Sequence, residues 1–162
     1  MLERYYTHSS EETENLGISL AKRLCPGDIL LLFGDLAAGK TTLTRGIAKG
    51  LGVLDDVSSP TFTIMQQYTA GPDGLAINHF DAYRLRDEQD WYAEGFDELL
   101  YGSAVSLIEW PENVLEALPE DVIEVHLTFA GEGNERQIDL KFPQARSAEA
   151  SRDEAKDDNS RK

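Results

Sequence analysis

Ile29-Leu30-Leu31-Leu32-Phe33-Gly34-Asp35-Leu36-Ala37-Ala38-Gly39-Lys40-Thr41 is the stretch that decides the architecture. Its first five residues form a short apolar run of the kind buried on both faces of a parallel sheet. The next eight, Gly34–Thr41, satisfy the phosphate-loop pattern G-x-x-x-x-G-K-[ST] at every position. Leu43, Ile47 and Leu51 follow at i, i+4, i+8, which predicts a helix ending near Gly50-Leu51-Gly52. Strand, glycine loop and helix in this order make an anion cradle. Loop N–H groups converge on a phosphate at a helix N-terminus, where the helix dipole adds favourable potential. In that cradle Lys40 reaches the terminal phosphates and the Thr41 hydroxyl helps hold Mg²⁺. The bland alternative is a glycine-rich turn with an incidental Lys-Thr, and it does not require the flanking strand and helix.

Working outward, Ser9 and Glu12 have the spacing of a capping box, and Leu16, Leu20 and Leu24 mark one stripe of a helix that Pro26-Gly27 ends. Downstream, Thr61–Tyr68 and Leu75–Phe80 flank Gly71-Pro72-Asp73-Gly74 and read as a hairpin. Residues 85–102 read as short helices. Ala104–Ile108 is a second buried strand, and Val122–Phe129 with Gln137–Phe142 forms a second hairpin around Gly131-Glu132-Gly133-Asn134. The expectation is an α/β, P-loop NTPase-like fold of three layers, with a mixed, mainly parallel central sheet and antiparallel hairpins. Residues 1–143 read as a single domain. Residues 144–162 lack aromatics and large aliphatics and are expected to form a disordered, charged tail.

The whole chain has 162 residues, of which 41% are hydrophobic and 28% charged, as in an ordinary soluble domain. No apolar run approaches the ~20 residues of a membrane helix, and no secretory signal is visible. Cys25 is the single cysteine, which excludes an internal disulfide and a cysteine zinc cluster, and the three histidines show no ligand spacing. A cytoplasmic protein is expected. Net charge is −15, and its distribution is uneven. From Arg146 onward five basic and five acidic residues balance, so residues 1–144 hold ten basic against twenty-five acidic side chains. Such a body does not grip phosphate backbones by itself. A nucleic-acid role must be indirect or shared with a basic partner.

A P-loop ATPase needs a carboxylate for its metal, usually at the end of a neighbouring buried strand. Glu109 follows Ala104–Ile108 directly, and Asp81 follows Leu75–Phe80 in the same way. Either could instead be a strand-end acid facing water. Lys never follows Asn in this chain, so the guanine-binding Asn-Lys-x-Asp element is absent. A small-molecule kinase usually carries several lid arginines, and only Arg84 and Arg86 lie between the P-loop helix and Glu109. Kinase chemistry and a nucleotide-binding module without hydrolysis stand as the alternatives to an ATPase.

Four ordered blocks carry a family resemblance. They are Gly34-Asp35-Leu36-x-Ala38-Gly39-Lys40-Thr41-Thr42 with Thr44-Arg45-Gly46, then Ser59-Pro60-Thr61-Phe62-Thr63, His79-Phe80-Asp81-x-Tyr83-Arg84-Leu85, and Ile108-Glu109-Trp110-Pro111. Over roughly residues 8–142 the chain resembles the bacterial TsaE (YjeE) family of P-loop ATPases. One departure is Ala37, where that family usually has Gly. The resemblance implies work with two partners, TsaB and TsaD, in making threonylcarbamoyladenosine in tRNA. TsaD performs the transfer, the TsaE-like protein binds and hydrolyses ATP, and tRNA is met only through the complex. It implies a phosphate cradle of Ala37, Ala38, Gly39, Lys40, Thr41 and Thr42, with Thr41 and Glu109 as Mg²⁺ ligands. Lys40, Asp81 and Glu109 are the implied catalytic set, with Asp81 positioning water or the metal shell. Ser59–Phe62 would sense the γ-phosphate. Trp110 would lie near the nucleotide, although it reads equally well as a core indole beside Pro111. Arg136 would touch the nucleotide from the C-terminal hairpin, and Ser10, in the segment around Thr7–Ser10, would flank the adenine.

Overall fold

The computed structural model describes residues 2–60 and 63–144. The expected tail, 144–162, therefore lies outside the described residues apart from Gln144. Seven strands, β1 (Leu2–Thr7), β2 (Ile29–Phe33), β3 (Met65–Tyr68), β4 (Ile77–Asp81), β5 (Val105–Glu109), β6 (Ile123–Phe129) and β7 (Arg136–Lys141), form one sheet. Their spatial order is β1-β7-β6-β2-β5-β4-β3. β6, β2, β5 and β4 run parallel to one another, while β3, β7 and β1 each pair antiparallel with their neighbours. This is the mixed, mainly parallel sheet with two hairpins that the sequence predicts.

Among the described residues, four α-helices complete the layers: α1 (Ser10–Ala21), α2 (Lys40–Gly50), α3 (Glu88–Ala93) and α4 (Phe96–Leu99). Side chains of β2 alternate between two cores. Leu30 and Leu32 join Leu20, Leu43 and Ile47 under α1 and α2, whereas Ile29 and Leu31 join Trp91, Phe96 and Phe80 under α3 and α4. A strand buried on both faces must be apolar throughout, which explains the unbroken run Ile29–Phe33. α1 begins as its capping pattern predicts, with Ser9 Oγ accepting from the Glu12 N–H. The Glu12 carboxylate reaches one residue further back than in the usual box and accepts from the His8 N–H.

The first helices meet through glycine. A Cβ on Gly17 would lie 2.5 Å from the Leu43 carbonyl oxygen, so only hydrogen lets α1 sit against the backbone of α2. That contact seats the helix that carries Lys40.

β1 has no counterpart in the sequence reading. Its residues Glu3–Tyr6 are polar or aromatic with no alternation, and it is an edge strand largely open on both faces. Two forked ion pairs hold it: Arg4 on Asp139 of β7 at 2.8 and 3.0 Å, and Glu3 on Arg23 at 2.8 Å through both guanidinium nitrogens.

Candidate functional site

The loop between β2 and α2 turns through two residues with positive φ, Ala37 at 63° and Gly39 at 104°. Gly39 caps α2, so the helix's first-turn N–H groups, which have no intrahelical acceptors, face the loop's concavity. Lys40 is almost fully buried. Its ammonium donates to the Gly34 carbonyl at 2.7 Å and lies 3.9 Å from the centroid of the Trp110 ring. Burial pushes the Lys40 pKa below the ordinary lysine value, and the negative charges of Glu109, Glu112, Asp81 and Asp35 oppose that shift.

Two carboxylates face this loop from the carboxyl ends of adjacent parallel strands, where α/β sheets place their ligands. Asp81 ends β4 and is paired in register with Glu109, which ends β5. Both are buried. Asp81 Oδ1 accepts from the Tyr83 N–H at 3.0 Å. Glu109 Oε2 lies 2.9 Å from His79 Nε2 and 3.5 Å from Ser59 Oγ. Trp110, directly after Glu109, takes a left-handed conformation at φ 54°, and this turns its indole back over Lys40. A non-glycine residue in that region is a strained exception of the kind found at working sites.

Together these groups line a cavity of about 490 Å³, whose wall includes Ala37, Gly39, Lys40, Thr41, Thr42, Ser59, Asp81, Glu109 and Trp110, with exposed Leu36 and Tyr83 at its rim. A smaller pocket of about 130 Å³ opens beyond the loop. It shares Ala37, Gly39 and Thr42 and adds Ser10, Thr13, Asn134 and Arg136. Arg136 is buried, and its guanidinium donates to the carbonyls of Ala38 at 3.0 Å, Ala37 at 3.2 Å, and Gly133 and Glu135 at 2.7 and 2.8 Å. It thus braces the outer curve of the loop from β7. Ala38 is wholly buried beneath the same loop.

The structure therefore gathers Lys40, Thr41, Thr42, Asp81, Glu109 and Trp110 into one cavity and places Ser10 and Arg136 in the adjoining one. Of the Ser59–Phe62 segment, Ser59 faces Glu109, while Thr61 and Phe62 lie outside the described residues. Sequence reasoning quoted His79 only inside the block that carries the family resemblance, counted it among three histidines without ligand spacing, and gave it no role. The available signal was its place two residues before Asp81, on the same face of β4. Among the described residues, no three His, Cys, Asp or Glu side chains gather as a protein-only metal cage. None of the described helices is long and apolar enough to cross a membrane.

A complete phosphate loop at the N-terminus of α2, set against two carboxylates at the ends of parallel strands, defines a P-loop α/β protein. The profile of the family described as "Threonylcarbamoyl adenosine biosynthesis protein TsaE" matches residues 7–138, and the chain belongs to that family. It is 42% identical over 135 residues to the tRNA threonylcarbamoyladenosine biosynthesis protein TsaE of Bacillus subtilis (strain 168), which spans 83% of this chain and 82% of that protein. The protein of that name from Treponema pallidum (strain Nichols) is 37% identical over 131 residues, 81% of this chain and 95% of its own. The fold is similar to the crystal structure of Bacillus subtilis YdiB, with a TM-score of 0.78 and 34% identity over 98% of this chain and 97% of that one.

Proposed function

We propose that this protein binds and hydrolyses ATP with Mg²⁺ as an accessory component of tRNA threonylcarbamoyladenosine synthesis, working with TsaB- and TsaD-like proteins and meeting tRNA only through them. The observation that carries the reading is the single cavity in which the Gly34–Thr41 loop and Lys40 oppose buried Asp81 and Glu109. Family membership supplies the process.

The donor set fits a nucleotide-borne Mg²⁺. That ion is usually held by one or two carboxylates together with substrate phosphates, not by a protein cage, and two buried carboxylates beside a threonine hydroxyl match this need. Thr41 and Glu109 would hold it. When bound, Mg²⁺ neutralises charge on the terminal phosphates. Loop N–H groups and the N-terminus of α2 receive the phosphates, and Lys40 exchanges its Gly34 carbonyl for a phosphate oxygen. Asp81, oriented by the Tyr83 N–H, positions the attacking water. Trp110 shields Lys40 from solvent. Ser10 and Arg136 line the pocket for the base and sugar end.

The test is phosphate release from ATP by the wild-type chain and by Lys40→Ala, with the TsaB–TsaD pair present. Mg²⁺-dependent release in the wild type and none in a folded Lys40→Ala is expected. Equal rates in the two proteins would overturn the assignment.

A further inference from the structure

His79 is wholly buried on β4, at a position whose neighbours on the same face, Ile77 before it and Leu107 opposite it, are apolar core residues. An aliphatic side chain would suit that place. A histidine there brings two polar nitrogens into the core, and each costs free energy unless it finds a partner. Nε2 has one, Glu109 Oε2 at 2.9 Å. Nδ1 has no hydrogen-bond partner among the described residues. Among the described residues the ring therefore makes one hydrogen bond, and it is with the carboxylate that faces Lys40 and Thr41.

The geometry is a consequence of register. Asp81 lies directly opposite Glu109, so His79, two residues earlier on the same face of β4, is its diagonal neighbour and is near enough to reach it. A carboxylate oxygen only accepts, so Nε2 carries the proton and donates. Both contacts of Glu109, from His79 and from Ser59, fall on Oε2. Tyr68 lies beside the ring, with centroids 6.5 Å apart and planes 40° from parallel.

We propose that His79 is a positioning residue that fixes the Glu109 carboxylate through Oε2 and so presets it for the metal. This rests on the reading of Glu109 as a Mg²⁺ ligand. Outer partners of metal-ligating side chains typically change metal affinity by about 10–100-fold when removed. His79 touches neither phosphate nor metal, so the loss should appear in metal affinity and not in metal-free nucleotide affinity.

The experiment titrates Mn²⁺, followed by its paramagnetic resonance signal, into the full chain saturated with a non-hydrolysable ATP analogue. Analogue affinity is measured separately in EDTA. His79→Leu removes the donor. His79→Gln keeps an amide N–H near the place of Nε2, and His79→Asn withdraws it. We expect Mn²⁺ affinity to fall about 10–100-fold in the Leu and Asn variants and to recover substantially in Gln, with analogue affinity in EDTA within about twofold throughout. In a Glu109→Gln background the Leu substitution should add little. If the Leu variant does not fold, the contrast between Gln and Asn decides. Wild-type affinity in both Leu and Asn, or an undiminished effect of Leu when Glu109 is already Gln, would overturn the proposal while leaving the ATPase reading intact. A wild-type chain that takes up no Mn²⁺ with the analogue would overturn that reading and this inference together.

Discussion

The Lys40 ammonium rests against the face of the Trp110 indole, 3.9 Å from the ring centroid, while donating to the Gly34 carbonyl at 2.7 Å. A cation–π contact contributes about 0.5–2 kcal/mol, and the charges of Glu109, Glu112, Asp81 and Asp35 oppose the burial that lowers the Lys40 pKa. The same contact makes the indole a reporter. The chain has two tryptophans, and the other, Trp91, is sealed between Phe80 and Phe96 on the opposite side of the sheet.

Nucleotide that draws Lys40 away from Trp110 should therefore change intrinsic fluorescence through Trp110 alone. Trp110→Phe should abolish the change and Trp91→Phe should retain it. A wild-type chain that binds nucleotide with no change in fluorescence would show that Lys40 does not leave the ring, and a response that survives in Trp110→Phe would assign the signal to Trp91 instead.

Asp81 and Glu109 are register partners with different hydrogen-bond partners, so the separate roles proposed for them can be tested one at a time. Glu109→Gln keeps shape and removes charge, so Mg²⁺-dependent hydrolysis should fall by about two orders of magnitude or more while nucleotide still binds through the loop and Lys40. Asp81→Asn should lower the rate with a smaller effect on metal affinity. If Asp81→Asn abolishes metal binding and Glu109→Gln is harmless, the two assignments exchange.

Much of this arrangement was legible because its signals are local. The glycine loop, the apolar run before it and the i, i+4 stripe after it constrain one another within about twenty residues. The strand-end acids were legible for the same reason. What escaped depends on partners far along the chain. β1 is an edge strand whose ion pairs reach Arg23 and Asp139, and no apolar alternation betrays it. Gly17 matters only once Leu43 is known to lie against it. His79 acquires a role only when β4 and β5 are placed in register.

Ala37 holds φ 63°, a conformation that costs a side chain with Cβ about 1–2 kcal/mol relative to glycine. Ala37→Gly should relieve it, less what glycine adds to the freedom of the unfolded chain. A net gain of about 1 kcal/mol corresponds to a melting temperature higher by about 2–4 °C. A lower melting temperature would mean that the methyl group makes contacts whose loss outweighs the strain.

The β1 clamp predicts an acid dependence. Hydrogen bonds from Arg4, and then its charge, hold the Asp139 carboxyl below the usual carboxylate range. A carboxyl with a lowered folded pKa stabilises the fold above its unfolded pKa, and that stabilisation disappears as pH falls through the folded value. Arg4 is half exposed, so solvent limits the pair to about 0.5–1 kcal/mol. Asp139→Asn should cost that much at pH 7 in denaturant titrations, and the difference should fade as pH drops below about 4. A constant difference down to pH 2 would assign the effect to packing.

The isolated protein should be a slow ATPase that its partners accelerate. Rapid phosphoryl transfer needs positive charge beyond the phosphate loop, often an arginine, contributing about 10³–10⁵ in rate. Among the described residues lining the cavity, Lys40 is the single cation. Arg136 is engaged with four backbone carbonyls behind the loop. Arg45 points out from α2, and Arg84 lies on the surface beyond Tyr83. A further cation must come from movement of Arg84 or from a docked partner. The body that would dock is strongly acidic, with ten basic against twenty-five acidic side chains in residues 1–144, which favours a basic partner surface. Phosphate release should therefore be slow for the chain alone and rise clearly with the TsaB–TsaD pair. The stimulation should weaken as salt is raised from about 0.05 to 0.5 M, because screening acts on the exposed docking surface and much less on the buried Lys40, Asp81 and Glu109. A fast rate for the chain alone, indifferent to the pair and to salt, would place the missing charge within this chain and favour transfer to a small acceptor instead.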